Sequence, residues 1–343
     1  MFRAIQTSRL IIRAALPGDV DALVERRNDP EVARLQDWET PYPRAAAEST
    51  VADTVAMADG PTDGGWWMAT LVEASSNRII GDMSLHLTND RRTAEVGYSL
   101  DRASWGKGYA VEALEALLAW AFQDLPITRV TGSLHPDNRA SAMLLERAGL
   151  LFEGHTRLSY WLDDDNSDDW IYGMTREQWA QWRDRPRDSP RDVRLIAVTA
   201  ANKAAVLGLG THHTQEAFVS PVPESFADAL LPDIVDGAPL EPWLRAIEAD
   251  GELVGLVMLA LPTQAHPEPL LWRLLVDRLH QRRGVASRAL DLVEAQCRAM
   301  GARTLVTSWV EGRGSPRAFY LAQGFIPTGR IVAGETEARA QLV

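Results

Sequence analysis

The sequence contains one cysteine and two lysines among its 343 residues. The single cysteine, Cys297, excludes an intrachain disulfide, and its place in an apolar helical pattern predicts a packed side chain rather than a nucleophile. No apolar run is long enough to span a bilayer, and no charged-then-apolar leader is present. From the sequence we therefore expect a cytoplasmic protein without membrane contact.

Histidine is also scarce, with seven residues, and none shows the spacing of a metal ligand relative to cysteine or carboxylate. We therefore predict no metal. The net charge of −12 disfavours nonspecific nucleic-acid binding. Residues 1–188 carry −10 of this charge and residues 189–343 carry −2. The acidic first half would attract a cationic acceptor, although solubility explains the charge equally simply.

A glycine-rich turn follows a strand-like run in each half of the chain. Ser104–Ala110 lies between the strand-like residues 94–100 and an apolar pattern typical of a helix over 109–122. In the second half, Gln281–Ala286 follows the strand-like residues 270–277 and opens a helix. A strand, a glycine turn and a helix start together favour phosphate binding by backbone N–H groups.

A second glycine follows each turn and ends a second helix. Gly149 lies 43 residues after Gly106, and Gly324 lies 40 residues after Gly284. Similar motifs in the same order predict a duplicated domain, and the length is ample for two cores. We predict domains over 1–182 and 192–343, joined by a proline-containing linker over 183–191.

Both halves resemble the GNAT superfamily of N-acetyltransferases, whose acyl-CoA loop reads Gln/Arg-x-x-Gly-x-Gly/Ala. Gln281, Gly284 and Ala286 fit this pattern fully. The first copy is matched at Gly106 and Gly108, which puts Ala103 where Gln or Arg is usual.

Each half is further similar to one branch of the superfamily. The first resembles the RimJ/RimL type, which acetylates the N-termini of ribosomal proteins, through Thr7–Arg13, Glu95–Tyr98, Trp105–Ala110, Asn138–Ser141 and Trp170–Tyr172. The second resembles polyamine acetyltransferases through Gln215–Val219, Leu271–Asp277, Gly314–Tyr320 and Gly324–Gly329. The resemblance implies a mixed α/β (α+β) fold with two tandem GNAT domains, each a splayed mixed β-sheet flanked by helices.

The resemblance implies acetyl-CoA as the cofactor. Loop N–H groups would hold its pyrophosphate, and the edge of the preceding strand would pair with the pantetheine arm. The residues expected to bind it in the first half are Tyr98, Ser99, Leu100, Trp105, Gly106, Lys107, Gly108, Tyr109, Ala110 and Asn138. Those expected in the second half are Leu274, Leu275, Val276, Gln281, Arg282, Arg283, Gly284, Val285, Ala286 and Ser287. Lys107 could contact phosphate or face solvent, and Asn138 could contact a ligand or cap a helix.

Three catalytic residues are expected from the same comparison. Tyr320 stands where the superfamily often has a tyrosine that protonates the leaving thiolate, although a core aromatic would fit there too. The first half has Leu145 at that position, so Ser141 or water would have to act instead. Glu95 is the general-base candidate of the first half, and a surface carboxylate is the alternative.

The reaction implied is acetyl transfer to a primary amine. We expect a small-molecule acceptor, either an antibiotic or a polyamine-like compound, and a protein N-terminus is the alternative. In another interpretation one half only binds acyl-CoA, and the Ala103 and Leu145 departures point to the first half. An enzyme acting on aminoacyl-tRNA would need a basic surface, so no nucleic-acid partner is expected. The chain could assemble as a homodimer.

Local patterns complete the expectations. Val20–Ala33 is predicted to be one helix, and residues 37–65 lack a clear periodicity and are assigned to the variable acceptor region. The acidic stretch over 163–169 is interpreted as a solvated hairpin tip, with a cation or basic substrate as the alternative.

Overall fold

The computed structural model describes residues 2–57, 59–162, 165–235 and 237–342. The chain forms two compact units, Met1–Arg183 and Asp184–Val343. Each unit is a mixed sheet with helices packed against it. Of the acidic stretch predicted as a hairpin tip, Asp163 and Asp164 lie outside the described residues, and residues 165–169 belong to a strand.

The first unit contains an eight-stranded sheet in the order β1-β2-β3-β4-β5-β6-β8-β7. Its strands are β1 (Ile5–Gln6), β2 (Leu10–Ala14), β3 (Trp66–Glu73), β4 (Arg78–Thr88), β5 (Thr93–Leu100), β6 (Arg129–Leu134), β7 (Leu151–Leu162) and β8 (Asp165–Thr175). Its helices are α1 (Val20–Arg27), α2 (Pro30–Ala33), α3 (Arg44–Ala56), α4 (Tyr109–Asp124), α5 (Arg139–Arg147) and α6 (Arg176–Asp184), which ends at the unit boundary.

Helix α4 shows how the sequence specifies this packing. Leu114, Leu117, Leu118 and Ala121 recur at intervals of one helical turn, and all four are buried. Each leucine buried in this way contributes about 1.5–3 kcal/mol relative to an exposed one. Because α4 is fixed along its length, the turn that precedes it has a defined position.

One helix prediction in this half was wrong, and one helix was not predicted. Val20–Ala33 is not one helix, because Asp29 precedes Pro30 and has extended backbone angles (φ −70°, ψ 119°), as a residue before proline prefers. Residues 37–65 contain α3, which the sequence did not indicate because only Ala47, Val51 and Thr54 of its residues are buried.

The second unit contains a seven-stranded sheet in the order β16-β17-β15-β14-β13-β12-β9 and a two-stranded ribbon. Its strands are β9 (Val193–Ala197), β10 (Ile234–Val235), β11 (Ala238–Pro239), β12 (Glu241–Ala249), β13 (Glu252–Leu261), β14 (Leu270–Val276), β15 (Thr304–Trp309), β16 (Ile326–Val332) and β17 (Glu335–Gln341). Its helices are α7 (Lys203–Leu207), α8 (Val222–Leu230), α9 (Val285–Ala299) and α10 (Arg317–Ala322).

Cys297 lies on the buried face of α9, with Ala289, Leu290 and Val293. Burial raises the pKa of its thiol to about 11, so the thiolate is scarce at neutral pH. The prediction of a packed cysteine is confirmed. None of the described helices is both long and apolar enough to cross a membrane.

Candidate active site

The first glycine turn connects β5 to α4. Gly106 and Gly108 have left-handed backbones, with φ of 74° and 82°, and Gly108 caps the helix. Glycine adopts this conformation without steric cost. The first N–H groups of α4, from Gly108 through Tyr109 and Ala110, have no acceptor one helical turn earlier, and the helix dipole adds partial positive charge there. The turn is therefore built to bind an anion.

The second turn connects β14 to α9 in the same way. Arg282 and Gly284 have φ of 64° and 79°, and Gly284 caps the helix. Val285, Ala286 and Ser287 follow at the start of the helix and are the next donors. Both halves therefore contain the predicted turn.

The structural equivalence of the turns differs from the predicted one. The two cap glycines are Gly108 and Gly284, so Gly106 corresponds to Arg282 rather than to Gly284. Gly149 then lies 41 residues after its cap glycine and Gly324 lies 40 after its own, which is a closer agreement than the sequence comparison produced.

The same equivalence pairs Trp105 with Gln281. Trp105 Nε1 donates to the Leu100 carbonyl at 2.8 Å, and Gln281 Nε2 donates to the Val276 carbonyl at 3.0 Å. Each bond ties the turn to the end of the preceding strand. The prediction that Ala103 replaces the motif's Gln or Arg is therefore wrong, because Trp105 holds that position.

Parallel strands part beside each turn. β5 pairs with β6 only over Thr93–Glu95, and β14 pairs with β15 only at Leu270 and Leu271. In the described part of the chain, the remaining length of β5 and of β14 has no strand partner on that side. Unpaired strand edges can pair with the amide groups of an extended ligand. These edges contain the predicted residues Tyr98, Ser99 and Leu100, and Leu274, Leu275 and Val276.

The Ser99 side chain is not available to a ligand. Its hydroxyl donates to Asp82 Oδ1 at 2.8 Å and accepts from Arg26 Nε at 3.0 Å. Arg26 and Asp82 also form a buried ion pair. Ser99 can therefore contribute only backbone groups.

The two central strands differ by one β-bulge. β5 pairs with β4 without a break, whereas β14 pairs with β13 through Met258–Arg273 and then Leu259–Leu271, which leaves Trp272 extra. When residues are counted back from each turn and the extra Trp272 is skipped, Leu270 aligns with Glu95. The second half therefore lacks a carboxylate at that position.

Glu95 is half-buried and lies beside a stacked pair of aromatic rings. His86, its cross-strand neighbour on β4, has Nδ1 3.9 Å from the Glu95 carboxylate and stacks on Trp66 at a ring distance of 5.0 Å. Trp66 is 45% exposed, so its ring can also contact a ligand. Burial, more than any charge, raises the pKa of Glu95 above its ordinary value.

Two further carboxylates are close enough to affect Glu95 electrostatically. Asp37 and Asp169 both act to raise the pKa of Glu95, and both also act to raise that of the Tyr160 hydroxyl, for which burial is the larger cause. Burial also raises the pKa of Asp169 itself. His86 acts in the opposite direction and lowers the pKa of Glu95, while the negative charges of the carboxylates would favour a cation beside it.

Ser141 and Tyr98 are brought together on the other face of the sheet. Their hydroxyl oxygens are 2.5 Å apart, and burial raises the pKa of Tyr98, so the phenol stays protonated. Asn138 caps α5, because its side chain accepts from the Ser141 backbone N–H at 3.1 Å. Of the two roles considered for Asn138, the structure contains the cap.

Leu145 and Tyr320 occupy matching positions, four residues before Gly149 and Gly324. Leu145 packs against Gly132 on β6. A Cβ added to Gly132 would lie 3.1 Å from Leu145 Cδ1. Tyr320 is buried against Trp309 on β15, at a ring distance of 5.8 Å. Burial raises the pKa of Tyr320 to about 12, although the bond with Thr307 acts to lower it.

The basic side chains of the turns differ in their surroundings. Lys107 is exposed. Arg283, at the corresponding position, is buried, with Nε donating to the Asp188 carbonyl at 2.8 Å and Nη1 2.9 Å from His280 Nδ1. The Arg283 side chain is therefore directed toward its own chain, and its backbone is the part left for a ligand.

Sequence reasoning did not select Trp66, His86, Asp37 or Asp169. The first two could have been found, because Trp66–His86 and His86–Glu95 are direct cross-strand neighbours of the predicted hairpin and the strand after it. No periodic signal connects Asp37 or Asp169 to Glu95. Among the described residues, no group of three His, Cys, Asp or Glu side chains could hold a metal ion.

Comparison with known proteins agrees with this geometry in both halves. A model of the "Acetyltransferase (GNAT) domain" matches residues 9–151, and one of the "Acetyltransferase (GNAT) family" matches residues 210–325. The chain belongs to the GNAT acetyltransferases. It contains two GNAT domains in tandem, and it is an acetyltransferase.

Individual relatives match about half of this GNAT chain. The "uncharacterized N-acetyltransferase p20" of Bacillus licheniformis is 29% identical over 155 residues, which are 45% of this chain and 85% of the relative. A solved structure of RimL, a ribosomal L7/L12 α-N-protein acetyltransferase in complex with coenzyme A, is 22% identical, with a TM-score of 0.45, over 50% of this chain and 98% of that one. The spermidine N-acetyltransferase of Vibrio cholerae in complex with coenzyme A and spermine is 19% identical, with a TM-score of 0.45, over 51% and 99%.

Proposed function

We propose that the first GNAT domain transfers the acetyl group of acetyl-CoA to a primary amine of a cationic small molecule. The observation that carries this proposal is the half-buried carboxyl of Glu95 beside His86, on which Asp37 and Asp169 also act. An ammonium group bound beside Glu95 would relieve the repulsion among these carboxylates. The half-exposed ring of Trp66 adds a surface for the methylene groups or the cation of the acceptor.

Acetyl-CoA fits the described residues of this domain. The left-handed backbone at Gly108 favours glycine, and an added Cβ would lie 3.3 Å from Arg9 Nη2, so that the Arg9 side chain would have to shift. The N–H groups of Gly108, Tyr109 and Ala110 would hold the pyrophosphate. The unpaired edge over Tyr98–Leu100 would accept the pantetheine arm, with Lys107 available at the rim.

Glu95 would remove the proton that keeps an amine from reacting. An amine with a pKa of about 10 is almost wholly protonated at neutral pH, so proton removal must precede attack. Glu95 takes this proton directly or through a water. The neutral nitrogen then forms a bond to the acetyl carbon as the carbon–sulfur bond breaks. The nitrogen loses its second proton as the amide forms. Ser141, held by Tyr98, would relay this proton, because its hydroxyl donates to the departing sulfur while it takes up the proton that the nitrogen loses.

The second domain supports a different assignment. It has Tyr320 at the acid position, but Leu270 occupies the place of Glu95. We propose as a second candidate that this domain binds acyl-CoA through Gly284 and Ala286 without a carboxylate base of its own. The sequence pointed instead to the first half as the non-catalytic one, partly through Ala103, and the corrected position of Trp105 removes that part of the reasoning.

The test is thiol release from acetyl-CoA with an amine panel. The panel contains a polyamine, an aminoglycoside, a peptide with a free N-terminus and a charged tRNA, presented to the full chain and to its Gly108→Glu and Gly284→Glu variants. We expect turnover with a small cationic amine and loss of that turnover in Gly108→Glu alone. A peptide as the best acceptor would replace the small-molecule assignment. Loss in Gly284→Glu alone would assign catalysis to the second domain.

A further inference from the structure

A charged side chain follows each cap glycine by four residues. It is Glu112 in the first turn of α4 and Arg288 in the first turn of α9. Each one contacts the segment that leads into the first long strand of its own domain, β2 or β9. We call residues 7–9 the first strap and residues 188–191 the second strap.

Glu112 gathers donors from the first strap. Its Oε1 accepts from Thr7 Oγ1 at 2.6 Å, from Ser8 Oγ at 2.9 Å and from the Arg9 backbone N–H at 2.9 Å. Its Oε2 accepts from Arg9 Nε at 2.7 Å. These bonds outweigh the effect of burial and lower the pKa of Glu112 to about 2, so the carboxylate is charged at all physiological pH values.

Arg288 makes the equivalent contacts with opposite polarity. Its guanidinium donates to the carbonyl of Pro190 and, at 3.0 Å, to the carbonyl of Arg191. Pro190 and Arg191 lie three and two residues before β9, just as Thr7 and Ser8 lie three and two residues before β2. The strap is held from its other side by Asp250, whose Oδ1 accepts from the Arg191 N–H at 2.9 Å.

Each strap also contacts the turn itself. Arg9 Nη1 donates to the Lys107 carbonyl at 2.7 Å, and Arg9 lies over the ring of Tyr109 at 4.6 Å. In the second domain, Arg283 at the Lys107 position donates to the Asp188 carbonyl at 2.8 Å. The strap provides the donor in the first domain and the turn provides it in the second, but in both domains the bond joins the strap to the turn.

We propose that Glu112 and Arg288 are positioning residues for coenzyme A, which fix the pyrophosphate turn of their domain against its strap. The inference rests on the proposed binding of acetyl-CoA at these turns. It makes residues 188–191, predicted only as a linker, part of the support of the second coenzyme A site. Neither residue needs to contact the ligand, because each acts by holding backbone N–H groups in place before the ligand arrives.

The charge of Glu112 and its positioning of the turn would have opposite effects on coenzyme A affinity. A carboxylate near the start of α4 stabilises the helix dipole but repels a pyrophosphate. Glu112→Gln removes the repulsion and also the ion pair with Arg9. If only charge mattered, coenzyme A would bind more tightly to this variant. If position matters, it binds more weakly.

The experiment is calorimetric titration of the full chain with coenzyme A. Gly284→Glu serves as the background for the first site, and Glu112→Gln is added to it. We expect binding about fivefold weaker, since roughly 1 kcal/mol of charge-assisted bonding is lost. Glu115→Gln, the same change further along α4, is the matched control and should leave affinity unchanged. Equal or tighter binding by Glu112→Gln overturns the proposal.

The second site is tested in the Gly108→Glu background. Arg288→Lys keeps the positive charge but loses the guanidinium fork that spans two carbonyls. We expect weaker binding of a similar size, with Arg298→Lys on the same helix as the control. Affinity equal to that of the background would assign Arg288 a role through charge alone and overturn its positioning role.

Failure of the proposed function can be distinguished from failure of the positioning role. Failure of the backgrounds and of the unmodified chain to bind coenzyme A contradicts the proposed function, whereas binding that these variants do not change contradicts only the positioning role. Thermal unfolding accompanies each titration. Should Glu112→Gln not fold, Ser8→Ala removes one exposed donor instead and is expected to weaken binding in the same direction, by a smaller factor. Unchanged affinity in Ser8→Ala would count against the first strap.

Discussion

The phenolic oxygen of Tyr98 lies 2.5 Å from Ser141 Oγ, which joins β5 to α5 beside the gap between the parting strands. The second domain has leucine where the first has this tyrosine, at Leu274, and tyrosine where the first has leucine, at Tyr320. Each domain thus brings one tyrosine to this region, from a strand in one case and from a helix in the other. Both domains therefore place a hydroxyl there, but from different elements.

Tyr98→Phe should lower kcat of the first domain while leaving KM for acetyl-CoA nearly unchanged. The ring would keep its packing, but Ser141 would lose its partner. We expect a loss of about tenfold, which is smaller than the roughly 100-fold lower limit for losing an acid–base group, because Tyr98 acts through Ser141. The measurement is thiol release by the full chain carrying Gly284→Glu. Ser141→Ala should act in the same direction and more strongly. If both variants keep the kcat of the background, neither Ser141 nor Tyr98 contributes to protonating the leaving sulfur in the first domain.

Tyr320→Phe separates a catalytic from a packing role in the second domain. Burial raises the pKa of this hydroxyl to about 12, so it remains protonated well above neutral pH. If it donates to the leaving sulfur, Tyr320→Phe in the otherwise unmodified chain loses turnover without a large change in melting temperature. We expect the variant to retain the turnover of the unmodified chain, because the first domain is proposed to catalyse the reaction and Tyr320 would then be a core aromatic.

Glu95→Gln should lower activity and raise stability at neutral pH. Burial raises the pKa of Glu95 above the ordinary 4.5, so its ionised form is disfavoured in the folded chain. A carboxyl with a raised folded-state pKa stabilises the fold at pH below its unfolded value, and that stabilisation is lost as the pH rises through the folded value. Glutamine removes this cost.

The pH profile provides the second measurement for Glu95. In the unmodified chain, kcat/KM should rise with pH through a group whose pKa lies above 4.5. Glu95→Gln should lose that limb while its thermal midpoint at pH 7 stays equal or increases. Retention of the limb would assign it to another group, and Asp169→Asn is the matched variant for deciding whether that group is its neighbour.

Alanine at the two cap glycines should have unequal effects. Both positions have φ near 80°, so each Gly→Ala change pays about 1–2 kcal/mol of backbone strain. At Gly108 the added Cβ also meets Arg9 Nη2 at 3.3 Å, whereas at Gly284 the nearest atom is Ser189 Oγ at 4.0 Å. We expect Gly108→Ala to weaken coenzyme A binding more than Gly284→Ala does. Calorimetry on the two single variants measures the difference.

Asp82→Ala should destabilise the first domain by about 3–5 kcal/mol, because it leaves the guanidinium of Arg26 without its main partner inside the fold. Ser99 would lose its acceptor as well. Urea unfolding monitored by fluorescence checks the value. Asp53→Ala, on the exposed face of α3, is the control with the same change in charge. A loss below 1 kcal/mol would mean that the Asp101 contact suffices for Arg26.

The turns, their helices and the strands that lead to them could be predicted because they depend on local chemistry. A left-handed cap requires glycine, and a helix that packs on a sheet requires apolar residues at each turn. The equivalence of the turns was predicted wrongly, because Gly106 and Gly108 are the same residue type. Only the backbone distinguishes the glycine that caps the helix from the one that precedes it.

By itself, the sequence indicated the duplication and the two anion-binding turns, because these follow from residue types at fixed spacing along the chain. Glu95, Ser141 and Tyr320 became candidates through the resemblance of those motifs to the GNAT superfamily. Only the tertiary structure shows that Asp37 and Asp169 act on Glu95 and that a bulge aligns Leu270 with Glu95. It also shows that Glu112 accepts hydrogen bonds from the first strap, whereas Arg288 donates them to the second strap. Those relationships join residues distant in the chain. Their energies depend on burial and on distance, which no local pattern encodes.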